Sequence, residues 1–205
     1  AGATSRTEQD RIIDELFEAV GLRPEQKALF PHQFSGGQRQ RIGIARALST
    51  RPSLIICDEP VSALDVAVQA QILNLLKSLQ AQFGLTYLFI SHDLGVVQHM
   101  CDDIAVMYMG QFMEYANRES FFAAPRHPYS EALLDAVPTI EVGAQATGGK
   151  LVDGAIPDLT KPQTGCRFAS RCPHVAAGCE DSVPLLDVWP GTSDHQLACY
   201  RAAEF

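Results

Sequence analysis

Between Arg6 and Val20 the apolar residues Ile12, Ile13, Leu16, Phe17 and Val20 return every three or four positions, with polar and charged residues between them. That period predicts an amphipathic helix over about 6–20, opened by a Ser5/Glu8 capping box and ended at Gly21. Ser35 and Gln38 form a second capping box, ahead of a helix that carries Ile42, Ile44, Ala45 and Leu48 and stops before Pro52. The pattern then changes. LIIC at 54–57 is a short continuous apolar run ending in Asp58-Glu59-Pro60, which reads as a buried parallel strand. Val68, Ile72, Leu75, Leu76, Leu79 and Phe83 make one face of a helix closed by Gly84, and TYLFIS at 86–91 is the next strand. A helix at about 94–101 leads to a strand pair, IAVMYMG and QFMEYA. Alternating strands and helices predict an α/β fold with a mostly parallel sheet, whose ligands sit beyond the carboxyl ends of the strands. Asp58, Glu59 and His92 fall at such ends.

Near Asn117 the pattern loosens. Phe121 to Pro138 is helical in parts, and from Gly143 the chain turns rich in Gly, Pro, Thr and Asp, with AQATGGK read as a mobile connector. The last forty residues lack helical periodicity and are dense in Cys and Pro. A segment of that size gains little from a core of its own and needs a cross-link.

Composition narrows the possibilities. With 205 residues, 46% apolar and 20% charged, the chain can hold one medium domain with a small appendage. A formal charge of -8 argues against a nucleic-acid partner. No apolar stretch reaches the roughly 18 residues that span a bilayer, and the start lacks a signal-peptide pattern. The expectation is a cytoplasmic chain that meets a membrane through a partner. Of six cysteines, Cys57 and Cys101 sit among apolar residues, whereas Cys166, Cys172, Cys179 and Cys199 crowd the end of the chain. In a reducing compartment such a cluster more often binds metal than forms disulfides.

Several polar groups are candidates for chemistry. Gly36 and Gly37, between Ser35 and Gln38, let backbone amides at a helix start approach an anion, although a plain capping box has the same look. An apolar strand delivering Asp58 and Glu59 suits a Mg²⁺ ligand and a carboxylate that polarises water. Ser62 to Asp65 is a polar loop able to reach a second subunit. For Arg39 and Arg41 a solvated helix face is expected, for His174 and His195 a surface position, and for Cys57 a buried structural role.

In this order the elements resemble the ATP-binding subunit of an ABC transporter, and FSGGQRQRIGIARAL is a highly specific string. The resemblance implies that Ser35, Gly36, Gly37 and Gln38 are the signature that contacts ATP, and that Leu54 to Asp58 are the Walker B strand with Asp58 on Mg²⁺. It implies that Glu59 is the catalytic carboxylate, Ser62 to Asp65 the D-loop, and His92 the switch histidine. PRHPYSEALLDAVP, GAIPDL and GCRFASRCPHVAAGC are similar to the tail of oligopeptide and dipeptide importer ATPases. By that resemblance residues 1–116 are the C-terminal part of the ATPase domain, with a helical subdomain over about 1–50 and a RecA-like core over about 51–116. Residues 117–205 are a peptide-importer extension carrying the four-cysteine cluster. The spacing C-x5-C-x6-C-x19-C matches neither the common ferredoxin run nor a paired zinc ribbon, so iron-sulfur, zinc and uncoordinated thiols all stay open on spacing. The family implies a 4Fe-4S cluster.

No G-x-x-x-x-G-K-[ST] occurs in these residues, and Gly148-Gly149-Lys150-Leu151 lacks both its spacing and its hydroxyl. The expectation is therefore the C-terminal part of a subunit, cut in the helical subdomain and inactive alone, whose signature serves ATP held by a second ATPase subunit in a homo- or heterodimer. Permease subunits, and indirectly an extracytoplasmic solute-binding protein, are the implied partners at the cytoplasmic face of the cell membrane. A hydrolysis-dead companion that lends its signature in trans, with a structural metal-binding tail, is the alternative. A cytosolic ABC ATPase acting on nucleic acid is disfavoured by the acidic balance.

Overall fold

In a computed structural model, residues 5–137, 164–192 and 194–204 are described. The connector AQATGGK, GAIPDL and the Gly148–Leu151 fragment lie outside them. The chain divides into two compact units, Ala1–Val96 and Val97–Phe205.

The first unit opens with helix α1 (Arg6–Ala19), capped by Ser5 Oγ, which accepts from Glu8 N at 3.2 Å. Its apolar stripe ends in Val20, fully buried at the C-cap. Helix α2 (Gly36–Leu48) buries Ile44, Ala45 and Leu48. Arg41 is part-buried rather than solvated, because its guanidinium donates to Val20 O at 2.6 Å and satisfies a carbonyl left open at the end of α1. Arg39 donates to Phe34 O at 2.9 Å while staying on the exposed side.

Strand β1 (Leu54–Asp58) pairs in parallel with β2 (Thr86–Ile90), Ile56 facing Leu88 and Asp58 facing Ile90. The crossover is helix α3 (Val66–Phe83), which buries Ile72, Leu73, Leu76 and Leu79, each worth roughly 1.5–3 kcal/mol over exposure. Gly84 ends it at φ +64°, a left-handed cap that glycine adopts without a Cβ clash. Cys57 is buried and its thiol is pushed up to about 11 by desolvation, in keeping with an inert role. Alternation along the pair leaves one face open, with Leu54, Ile56, Leu88 and Ile90 between 46% and 62% exposed. Helix α4 (Leu94–Met100) follows, and the division between the units falls within it, between Val96 and Val97.

The second unit is built on an antiparallel sheet. Strands β3 (Asp103–Tyr108) and β4 (Gln111–Asn117) form a hairpin whose turn takes Met109 and Gly110 to positive φ. Helices α5 (Arg118–Ala123) and α6 (Pro128–Asp135) follow, so the expected helical stretch is two short helices split before Pro128. Strands β5 (Asp187–Val188) and β6 (Gln196–Leu197) complete the order β3-β4-β6-β5. These two-residue strands have no periodicity from which a sequence reading could find them. Parallel pairing among the described residues is confined to β1–β2. The tail also borrows a core: Phe168, 1% exposed, packs on Tyr108, Met113 and Tyr129, edge-on to the Tyr108 ring at 5.5 Å between centroids.

Among the described residues no helix is long and apolar enough to cross a membrane.

Candidate functional site

The polar groups of the first unit gather where strands end and helices begin. At the end of β1, Asp58 is exposed and Glu59 turns the chain with φ +44°, an uncommon value for a residue with a side chain. Its amide donates to Ile90 O at 2.9 Å, which closes the ends of β1 and β2 together and fixes the direction of the Glu59 side chain. The carboxylate Oε1 then meets His92 Nδ1, just beyond β2, at 3.0 Å. Both side chains face water, at 49% and 73% exposure. The bond to His92, and after it one to Ser62, hold the Glu59 carboxyl below the ordinary carboxylate value. The group is an ionised acceptor in neutral solution, oriented by an imidazole, which is what activating a water requires.

Ser35 N donates to Gln38 Oε1 at 2.9 Å and Gln38 N to Ser35 Oγ at 3.3 Å, a reciprocal capping box. Gly37 is required by packing: a Cβ there would stand 2.5 Å from Val68 Cγ1. Gly36 lies against Leu64, so the Ser35–Gln38 turn abuts the Ser62–Asp65 loop. Asp65 caps α3, its Oδ1 accepting from Val68 N at 2.9 Å. The structure thus couples Glu59 with His92 directly, sets Asp58 one residue earlier on the same strand end, and places Ser35, Gly36, Gly37, Gln38 and Asp65 in a neighbouring helix-start cluster.

In the second unit Cys166, Cys172, Cys179 and Cys199 line one cavity, together with His127, Phe168, Ala169 and Arg201. All are free thiols. Burial pushes Cys166, Cys172 and Cys199 above the ordinary thiol value, and their mutual proximity adds to it. Gly165 permits the close approach of two of them: Cys166 N donates to Cys179 O at 2.7 Å, and a Cβ on Gly165 would fall 2.4 Å from that same carbonyl oxygen. Among the described residues no group of three or more His, Cys, Asp or Glu side chains stands close enough to hold a single metal ion.

His195, expected at the surface, is 3% exposed and bonded to Glu114, itself fully buried. The expectation failed because the partners are far apart in sequence. Glu114, His127 and Gly165 escaped the sequence reading altogether, and only the break in polar alternation at Met113-Glu114 could have signalled one of them.

Two family descriptions match the sequence: ABC transporter over residues 3–62, and the C-terminal region of oligopeptide/dipeptide transporters over residues 113–179. The chain is 49% identical, over 94% of its length and 59% of the relative's, to YkfD of Bacillus subtilis, named for oligopeptide transport ATP binding. It is 46% identical to the oligopeptide transport ATP-binding protein AppF of the same organism, over 94% of the chain and 58% of the relative. The chain therefore spans about three fifths of the length of these relatives. Among solved structures, it is similar to the ATP-binding cassette MJ1267 in its ADP conformation (25% identity, TM-score 0.54, 63% of this chain and 52% of that one). It is also similar to cbiO1 of Clostridium perfringens, part of an ABC transporter complex (29% identity, TM-score 0.54, 60% and 49%).

Proposed function

Because the chain belongs to the ATP-binding proteins of oligopeptide and dipeptide ABC transporters, we propose that its first unit supplies the hydrolytic groups of an ATPase that energises peptide import. The observation that carries the reading is the Glu59–His92 pair, held at 3.0 Å at the ends of adjacent parallel strands. Glu59 takes a proton from, or orients, the attacking water; His92 keeps the carboxylate aimed and steadies the γ-phosphate. Asp58, an exposed hard oxygen donor on the same strand end, fits a Mg²⁺ site, and the ion would offset phosphate charge there. Between the mutually capped Ser35 and Gln38, Gly36 and Gly37 present the amides of a helix start to a nucleotide on a second ATPase subunit, with Asp65 nearby. The open apolar face of Leu54, Ile56, Leu88 and Ile90 is the surface on which a P-loop-bearing half of the ATPase packs, since contiguous apolar exposure of this kind marks an interaction site. Permease subunits at the cytoplasmic side of the membrane are the coupled partners, and peptides the cargo.

The test is to join these residues to the part of AppF that they do not match and measure turnover with and without Glu59→Gln. Loss of a general base predicts a fall in turnover of about 10²–10⁴-fold with ATP binding retained. Turnover at the unmutated rate would remove Glu59 from this role.

For the tail, the proposed occupant is a 4Fe-4S cluster held by Cys166, Cys172, Cys179 and Cys199. Supporting it are four thiols around one cavity and the cationic Arg201 on its wall. The cluster would supply a structural cross-link. Anaerobic reconstitution should give broad absorption near roughly 400 nm, weakened by Cys172→Ser and unaffected by Cys57→Ser. Stoichiometric zinc without iron would decide for the other metal.

A further inference from the structure

Three of the four cavity thiols come from one stretch and are set by its own turns. Cys166 N reaches Cys179 O, Cys172 N reaches Ala169 O at 3.2 Å, and Cys179 N reaches Ala176 O at 3.1 Å. Cys199 arrives separately, just after β6, so something else must bring it to the others. The ties that hold its strand converge on Glu114. A bulge between Val106 and Met107 breaks the β3–β4 register, and both Met113 and Glu114 are buried, against the alternation of a regular strand. The Met113 carbonyl accepts from Ala198 N at 2.9 Å, immediately before Cys199. The Glu114 carboxylate accepts from Arg126 N at 2.8 Å and His127 N at 3.0 Å, and meets His195 Nε2 at 2.6 Å. His127, oriented through its own amide, accepts from Tyr129 N at 3.0 Å and hydrogen-bonds the Ala198 backbone through its ring. Asn117 adds a bond to Asp194 at 2.5 Å.

We propose that Glu114 is the positioning residue of the four-cysteine centre: through His195 on one side and the 126–127 turn on the other, it sets the strand that brings Cys199 to the other three thiols. This rests on the reading of the cavity as a cluster site, but its consequence for Cys199 is measurable without any cluster. Two arms separate the questions. In the cluster-free, reduced chain, limiting iodoacetamide followed by peptide mapping gives the labelling of Cys199 relative to Cys166. In the second arm the same proteins are reconstituted with ferrous iron and sulfide, and iron content and absorption are read.

Glu114→Gln, which turns an amide group toward donors, and His195→Leu should each raise the Cys199/Cys166 labelling ratio about fivefold, the equivalent of one lost hydrogen bond, and should at least halve cluster uptake. His195→Gln, which keeps an N–H at the position of Nε2, should restore both. An unchanged ratio in Glu114→Gln and His195→Leu overturns the proposal, as does an equal rise at all four thiols, which would mean general loosening. If the unmutated chain takes up no iron, the cluster reading fails and the labelling ratio still decides the role of Glu114. Should Glu114→Gln be insoluble, the His195→Leu and His195→Gln pair carries the same test.

Discussion

The polar groups of the two units live in opposite surroundings. In the first, Glu59 and His92 meet in open solvent, and Ser35, Gln38 and Asp65 bond to amides three residues away along the chain. In the second, Glu114, His127 and His195 are 0%, 1% and 3% exposed, and Glu114 bonds to residues 12, 13 and 81 positions away. Exposed groups with local supports stay free to meet a ligand, and their loss costs the fold little. Buried groups with distant partners have no ligand to wait for; they specify how separate pieces of chain come together, and a missing partner leaves donors in a site without water.

The strongest way to break this contrast is Glu114→Leu. Removing the acceptor of three buried donors should destabilise the second unit by about 3–5 kcal/mol. Trp189, the single tryptophan and a member of that unit, reports it by fluorescence during urea unfolding. A loss under about 1 kcal/mol would place the pair among interactions as weak as those on the surface.

Acidification sharpens the same point. Burial pushes the His127 imidazole down to about 4, against the opposing pull of Glu114. The unfolded chain therefore takes up a proton near its ordinary value of 6.5 while the folded ring stays neutral until pH falls to about 4. Stability from this group is complete above that ordinary value and declines across the window between the two, by up to about 3 kcal/mol. Urea midpoints followed at Trp189 should show the decline, and His127→Gln should flatten it. Gly165→Ala comes next, at about 1–3 kcal/mol, because the added methyl meets the backbone of Cys179 and Glu180, which cannot swing aside as a side chain would. At the bottom stands Asp65→Ala, which removes one exposed helix cap and should cost about 1 kcal/mol. Calorimetry that found Asp65→Ala as damaging as Glu114→Leu would erase the distinction between the units.

Much of the fold was legible without coordinates. The helix expected over about 6–20 runs from Arg6 to Ala19, the runs at 54–57 and 86–91 are β1 and β2, and Gly84 closes α3 in a left-handed cap. These features are local: period, cap and turn chemistry are each decided within a few residues. That Glu59 and His92 fall at ends of neighbouring parallel strands was legible one step further out; their contact at 3.0 Å came from the structure.

In the first unit the residue order alone was enough to locate the candidate polar groups, since capping boxes and strand-end acidic residues sit at short separations that backbone geometry converts directly into position. The arrangement of the second unit came from folding alone. Two-residue strands have too few side chains to show a period, and a bulge changes which face a residue takes without changing its identity. A buried carboxylate is recognisable only once its donors, one of them 81 residues away, have been folded against it. Glutamate and histidine in a polar sequence read as surface residues because desolvating them is unfavourable. What made their burial possible was the set of bonds that folding assembled around Glu114.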